Sequence, residues 1–192
     1  MTIPWGAFFS PTDPPDGYYQ QLAEAGCTHV EFGTETMSDS MLASYGKPFR
    51  TKHIKTAHDQ AVAAGLHVAH YLALGGPGES ASTIDETLAF AEGCRKTVFF
   101  FFAGLRILPR TPLHDLAVAE GKIKPNQNLL EPAFYQPDSV SLAELLARVS
   151  KRAQGRGNWI VGAGGEKMAR VVSRFYDRGR TGPLWEKLID AT

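Results

Sequence analysis

The chain is poor in cysteine, has no long apolar run and carries no net charge, and each of these absences excludes a class of protein. Cys27 and Cys94 are the only two cysteines in 192 residues. Neither has a second cysteine two or three positions away, the spacing that a self-contained zinc finger or a three-cysteine cluster loop requires. A secreted disulfide scaffold would be denser in cysteine, so a reducing cytoplasm is the expected location. The longest apolar stretch, Thr97 to Leu105, is about half of the ~20 residues that span a bilayer. The segment Met1-Thr2-Ile3-Pro4-Trp5 lacks the basic start and apolar core of a signal peptide, and no membrane partner is expected. Lysine plus arginine balances aspartate plus glutamate at 20 each. Proteins that neutralise nucleic-acid phosphates usually carry a basic surplus, so no nucleic-acid partner is expected either.

What is present is the composition of a packed domain, 43% hydrophobic and 21% charged. Strand and helix patterns alternate along the first two-thirds. Ile3 to Phe9 reads as a strand closed by Pro11, Pro14 and Pro15, and Asp16 is placed to cap a helix that Gly26 stops. Cys27 to Phe32 is a second strand. Ser38 or Asp39 opens a short helix ending at Gly46, and Thr51 caps a longer one with Ile54, Ala57, Ala61 and Val62 on one face. Leu66 to Leu74 is a third strand, running into the turn Gly75-Gly76-Pro77-Gly78. Ser82 heads a helix through Leu88 and Ala91, and Asp85 and Glu86 suit its positive end. Val98 to Ala103 is a fourth strand, apolar on both sides as if buried between helix layers. Thr111-Pro112 starts a helix to Glu120. Beyond it the regularity fails across Gly121 to Ser139. Helical patterns return from Leu142 and again from Met168 to Tyr176, with a break from Gly155 to Gly165.

This order implies right-handed parallel crossovers, either an open doubly wound sheet or the arc of a barrel. Ligands in such folds lie on the loops beyond the carboxyl ends of the strands. Those loops are Gly33-Thr34-Glu35-Thr36, Gly75-Gly76-Pro77-Gly78-Glu79-Ser80 and Gly104-Leu105-Arg106. A carboxylate, a glycine-rich backbone nest and an arginine on neighbouring strand ends suit a zwitterionic or nucleoside-bearing ligand. The competing reading is that the glycines turn the chain and the charges are solvated. Gly76 to Ala81 also fits the dinucleotide pattern G-x-G-x-x-A. Against that reading, the next strand ends without an acidic residue for a ribose, and Pro77 removes an N–H donor. The lysine of a phosphate loop is missing too. His67 and His70, three apart on a strand, point to opposite faces and do not chelate one metal. His29, His53, His58 and His114 stand isolated and read as structural or surface residues. Asn158-Trp159-Ile160 reads as a packed turn.

Three ordered segments carry a resemblance. They are Gly26-Cys27-Thr28-His29-Val30-Glu31-Phe32-Gly33-Thr34-Glu35-Thr36 with Met41-Leu42 and Gly46-Lys47, then Leu74 to Ser80, then Leu105-Arg106-Ile107-Leu108-Pro109-Arg110-Thr111-Pro112-Leu113. Together they resemble radical S-adenosylmethionine enzymes, over about residues 3 to 160. Leu129 to Tyr135 and the Asn-Trp-Ile at Asn158 are similar to the branch whose longer members often carry a cobalamin-binding domain upstream. The resemblance implies a partial (β/α) barrel, S-adenosylmethionine as cofactor, and a four-iron four-sulfur cluster that cleaves it to a 5′-deoxyadenosyl radical. In the family that cluster sits on a Cys-x-x-x-Cys-x-x-Cys loop after the first strand. No such loop occurs here, and the first strand of this chain resembles the family's third. The expectation is a truncated piece of the barrel, about four parallel strands over residues 1–120, with an extension of packing helices over 121–192.

Carried over position by position, the resemblance places Glu35 against the ribose or methionine part of the cofactor and Lys47 against its carboxylate. Gly75, Gly76, Pro77, Gly78 and Glu79 would flank the adenosine, and Arg106 would end the strand beside the adenine. It assigns no catalytic residue and no metal ligand in this chain. The cluster, with cobalamin as a further possibility, is expected only in a full-length parent. The implied function is the nucleoside- and methionine-binding side of a radical enzyme acting on a small-molecule substrate. The rivals are a binding or scaffold module with the same arc and no chemistry, and an ordinary nucleotide-dependent α/β enzyme. The exposed first strand is expected to favour self-association.

Overall fold

The computed structural model describes residues 3–162 and 165–189. In chain order its elements are β1 (Trp5–Phe9), α1 (Tyr18–Glu24), β2 (Cys27–Glu35), α2 (Asp39–Ser44), α3 (Thr51–Ala63) and β3 (His67–Leu74). Then come α4 (Ala81–Glu92), β4 (Thr97–Ala103), β5 (Leu105–Arg106), α5 (Pro112–Ala119) and β6 (Phe134–Tyr135). The chain continues with α6 (Leu142–Ala153), β7 (Trp159–Val161), α7 (Gly165–Asp177) and a 3₁₀ turn at Leu184–Leu188. Five strands form one parallel sheet in the order β1-β2-β3-β4-β7. Parallel neighbours joined by helices put every carboxyl end on one side, as in a barrel arc.

Side-chain alternation divides the sheet sharply. Val30 and Phe32 on β2, Val68 and Leu72 on β3, and Phe99 and Phe101 on β4 are all fully buried or nearly so. They meet two clusters from the helix layer. Tyr19, Ala57 and Ala61 cover the β1–β3 end, and Leu42, Ile54, Ile84, Leu88, Leu145 and Val149 cover the β3–β7 end. The opposite face carries His29, Glu31, Gly33 and Glu35 of β2, Tyr71 of β3, and Phe100 and Phe102 of β4. The expectation of helix layers on both sides of β4 holds only loosely on this face, where a cavity lies between the strand and the C-terminal helices. That cavity, of about 500 Å³, is closed by Phe175 of α7 and Trp185 and Leu188 of the 3₁₀ turn. Phe102 remains 39% exposed there.

Several local expectations also shift. Asn158-Trp159-Ile160 is no packed turn, because Trp159 and Ile160 open the fifth strand and pair in register with Phe99 and Phe100. The Asn158 side chain donates to the Thr97 carbonyl at 2.9 Å, tying the start of β7 to the start of β4. The irregular stretch after Gly121 contains β6, which pairs antiparallel with β5. The helix cap before α4 is Ser80, not Ser82: its hydroxyl accepts from the Thr83 N–H at 3.4 Å. Asp39 accepts the Thr51 N–H at 2.7 Å, so the start of α3 is satisfied from α2 rather than by Thr51 itself. Asp16 gives no cap either; Gly17, left-handed at φ 73°, holds that position. Among the described residues, no helix is long and apolar enough to cross a membrane.

Candidate functional site

β2 ends in an unusual piece of backbone. Its pairing with β3 slips between Gly33 and Glu35, so Thr34 is the extra residue of a bulge. Directly after it Glu35 sits at φ 65°, in the left-handed region that costs a side-chain-bearing residue about 1–3 kcal/mol. The Thr36 N–H closes on the Thr34 carbonyl at 2.8 Å, making Glu35 the centre of a three-residue turn. The turn folds the carboxylate back over the open face of the sheet, with Oε1 4.0 Å from where a Gly33 Cβ would stand. Lys47, just beyond the end of α2, places its ammonium 3.3 Å from that same oxygen.

Glu35 and Lys47 line a cavity of about 640 Å³ together with Ser44, Tyr45 and Pro77. The rest of its lining is apolar apart from Thr111, made by Leu105 and by Pro112, Leu113 and Leu116 of α5. Tyr45 was not singled out in the sequence, yet it organises the glycine turn. It accepts from the Gly76 N–H at 3.1 Å and donates to the Ala73 carbonyl at 3.2 Å. Its ring lies so close that a Cβ on Gly76 would be 2.4 Å from it, which explains glycine at that position. Burial pushes the Tyr45 hydroxyl far above its ordinary range, with the Glu79 carboxylate adding to the effect. Ser44 donates to the Pro77 carbonyl at 2.6 Å.

The turn is thus braced from α2, and from α4 as well. Glu79 is fully buried. It accepts from the Gly75 N–H at 3.1 Å and, in a very short bond, from the Thr83 hydroxyl. Burial raises its pKa above the usual carboxylate value, and those two bonds oppose the rise. The expected backbone nest is therefore corrected. The N–H groups of Gly75 and Gly76 are spent on Glu79 and Tyr45, and Pro77 has none. Of the turn residues, Pro77 alone lines the cavity; Gly75, Gly76, Gly78 and Glu79 support it from behind.

Arg106 does not share the cleft with Glu35, as the sequence reading expected. β5 pairs antiparallel with β6, matching Leu105 to Tyr135 and Arg106 to Phe134. Adjacent strand residues point to opposite faces. Leu105 faces the cleft, while Arg106 lines a second cavity with Arg110, His114 and Asn128. A two-residue strand paired to a segment nearly thirty positions away leaves no local signal that sequence spacing could have revealed.

The donor set of the first cavity fits S-adenosylmethionine: a carboxylate for an ammonium or a diol, an ammonium for a carboxylate, and an apolar wall for a flat base. The residues do not fit an iron–sulfur cluster. Cys27 and Cys94 are both buried, with 5% and 8% exposure. Cys27 begins β2 and Cys94 lies just ahead of β4, so both lie toward the amino end of the sheet. Among the described residues, no group of three His, Cys, Asp or Glu is arranged to hold a metal ion.

These features have counterparts in known proteins. Residues 6–91 match the model of the Radical SAM superfamily. No curated protein matches the chain. Among solved structures, the radical S-adenosylmethionine methyltransferase TsrM from Kitasatospora setae, with cobalamin and a [4Fe-4S] cluster bound, superposes with a TM-score of 0.74 at 16% identity. The match covers 97% of this chain and 42% of that one. The same methyltransferase with tryptophan and a cofactor analogue, aza-SAM, gives 0.76 at 14% identity, covering 97% and 44%. The cobalamin-dependent radical enzyme OxsB with aqua-cobalamin bound gives 0.59 at 14%, covering 81% and 29%. At these identities the likeness is one of fold, and the chain spans less than half the length of each structure. Sequence over residues 6–91 and fold over nearly the whole chain agree, and they relate it to the radical SAM superfamily.

Proposed function

We propose that this chain forms the part of a radical S-adenosylmethionine enzyme that binds the nucleoside and methionine portions of the cofactor. The observation that carries the reading is the meeting of Glu35, Lys47 and Tyr45 on one cavity at the carboxyl end of a parallel sheet. Glu35 is held in a strained turn that aims its carboxylate inward. Proteins retain such strain where the surroundings over-determine it, commonly at ligand clamps.

Each group has a task. Lys47 presents a fixed positive charge to a carboxylate. Glu35 accepts hydrogen bonds from an ammonium or from ribose hydroxyls, exchanging part of its contact with Lys47 for contacts with the ligand. Tyr45 keeps the glycine turn pressed against the cavity wall, and Leu105, Leu113 and Leu116 exclude water from one side of a bound base. Bound S-adenosylmethionine would supply a sulfonium centre, and among the described residues no group of three His, Cys, Asp or Glu is arranged to hold a metal that could reduce it. An iron–sulfur cluster, where one serves this site, would be held by thiolates other than the buried Cys27 and Cys94.

A second reading, a binding or scaffold module with the same arc and no chemistry, is favoured by the burial of both thiols and by the ion pair that Glu35 and Lys47 already make. Calorimetry of the chain with S-adenosylmethionine separates the two. Saturable one-to-one binding that weakens with Glu35→Ala supports the cofactor-binding reading; no heat with S-adenosylmethionine or S-adenosylhomocysteine favours the scaffold.

A further inference from the structure

The backbone turn at Glu35 is anchored from beneath by a row of buried polar groups that has no part in the site described above. The Thr34 hydroxyl lies 2.7 Å from His70 Nδ1. His70 Nε2 lies 3.1 Å from His58 Nδ1, and His58 Nε2 lies 3.1 Å from the Arg95 carbonyl. Thr34 and His70 are fully buried and His58 is 2% exposed. Sequence spacing made His58 look isolated, and this contact corrects that.

Donor counting fixes every proton in the row. The Arg95 carbonyl only accepts, so His58 Nε2 carries a hydrogen. A neutral His58 then accepts at Nδ1, so His70 Nε2 donates to it. That leaves His70 Nδ1 as an acceptor, and the Thr34 O–H must donate. The alternative acceptor for Thr34, the Phe32 carbonyl, is farther away at 3.4 Å. Burial lowers the pKa of both rings; at His58 the Asp59 carboxylate and the Arg95 carbonyl oppose that shift, whereas at His70 the neighbouring His58 lowers it further. Phe32, His70 and Phe99 occupy one register line across three strands. Their rings stack at 5.2 and 5.4 Å, so His70 has little freedom to turn.

Thr34 therefore does two things at once. Its side chain is fixed to His70, and its carbonyl closes the turn that holds Glu35 at positive φ. The far side of that turn is tied independently: the Thr36 hydroxyl lies 3.0 Å from that of Thr87, which also accepts the Met37 N–H at 3.1 Å. A strained residue between two fixed ends cannot relax toward ordinary strand geometry unless one end is freed.

We propose that His70 is a positioning residue for the cofactor cleft, acting through Thr34 to hold the Glu35 carboxylate against Lys47 and over the open face of the sheet. The inference rests on the cofactor-binding reading for its consequence, although the positioning itself is a property of the free chain. Replacing Thr34 with valine keeps the shape and removes the donor; serine keeps the donor and removes the methyl.

Two readouts test this on the whole chain. The first needs no ligand: the carbon-13 shift of the labelled Glu35 carboxyl, and its change on Lys47→Met, report the Glu35–Lys47 contact. The expected result is that Thr34→Val loses at least half of that response and Thr34→Ser keeps it. The second is S-adenosylmethionine affinity. Thr34→Val is expected to weaken it about tenfold, Thr34→Ser to stay within about twofold, and Thr34→Val to add nothing in a Glu35→Ala background. A Thr34→Val protein with an unchanged carboxyl response would overturn the proposal and reduce the row to a satisfied core. If the wild type binds no S-adenosylmethionine, the cofactor reading falls and the first readout still decides the positioning. If Thr34→Val fails to fold, His70→Phe, which extends the stack and leaves Thr34 the Phe32 carbonyl, gives the same two readouts.

Discussion

Glu35 and Lys47 face each other at the mouth of the larger carboxyl-end cavity, Oε1 to Nζ at 3.3 Å, with 35% and 27% of their side chains exposed. An ion pair that open to water contributes only about 0–1 kcal/mol to stability. Its placement matters more than its strength. Lys47→Met should leave the melting temperature within a few degrees while lowering affinity for S-adenosylmethionine about tenfold. A fall in stability without a loss of affinity would show that the pair is a structural tie.

Glu35→Gly separates strain from function in a different way. Glycine adopts φ 65° without a Cβ penalty, and relief of the strain should stabilise the fold by up to about 1 kcal/mol. The same change removes the carboxylate, so binding should fall about ten- to hundredfold. Urea denaturation and calorimetry on one preparation check both halves. A destabilised Glu35→Gly would mean that the carboxylate's contact with Lys47 outweighs the backbone cost.

Gly76→Ala should be severe for its size. The new Cβ would lie 2.4 Å from one Tyr45 ring carbon and 2.5 Å from the hydroxyl oxygen. Overpacking of this kind costs about 1–3 kcal/mol. Tyr45→Phe removes the acceptor of the Gly76 N–H and should cost a similar amount. Because both act on one contact, the double variant should be less unstable than the sum of the single ones. Additive losses in thermal unfolding would show that the ring and the turn are not coupled.

The parallel sheet was legible because the run from Val98 is strongly apolar, those from Cys27 and Leu66 mix apolar with polar residues at strand spacing, and all three are bounded by turn residues, signals that are local. β7 was not, since three residues beside Asn158 become a strand only through bonds to Thr97 and Phe99 that lie about sixty positions away. The same physics divides the site. Glu35, Lys47 and Pro77 could be placed by resemblance to a family pattern. Tyr45 acts on Gly76 through a tertiary contact with no periodic trace, and His58 meets His70 across two different elements. Arg106 was misplaced because Gly104-Leu105-Arg106 was read as a strand-end loop; Leu105 and Arg106 instead form β5, whose antiparallel pairing with the distant β6 turns Arg106 away from the cleft.

Stability should respond to Glu79 with a sign opposite to that of most carboxylates. Burial raises its folded pKa above its ordinary value near 4.5. Between those two values the native state holds a proton that the unfolded chain has released, so stability falls as pH rises through the window. At lower pH both states are protonated and the penalty vanishes. Glu79→Gln, which still offers an oxygen to Thr83 or Gly75, should remove this component. The difference in unfolding free energy between wild type and variant, followed upward from pH 4.5, should shift in favour of the variant. A constant difference would show that the Thr83 and Gly75 hydrogen bonds fully offset burial.

The last prediction concerns the cluster. A [4Fe-4S] centre requires several thiolates converging on one point, and the thiolate rather than the thiol is the ligand. Cys27 and Cys94 are buried in the helix-side core, and their thiols are directed to the His29 and Phe90 carbonyls at 3.3 and 3.7 Å. Burial raises the pKa of both, that of Cys94 to about 11, so at neutral pH each is held as the protonated form. Cys27 begins β2, whose carboxyl end carries Glu35, and Cys94 precedes β4, so both lie at the end of the sheet opposite the Glu35 and Gly75–Glu79 loops. Anaerobic reconstitution of this chain with iron and sulfide should therefore give no stoichiometric cluster absorbance, and no 5′-deoxyadenosine on addition of S-adenosylmethionine and reductant. Cys27→Ala and Cys94→Ala should leave S-adenosylmethionine affinity unchanged, apart from the cost of their small core cavities to folding. A cluster that forms on the wild-type chain and is lost in either alanine variant would require those thiols to leave the core, and would overturn this assignment of the chemistry to other thiolates.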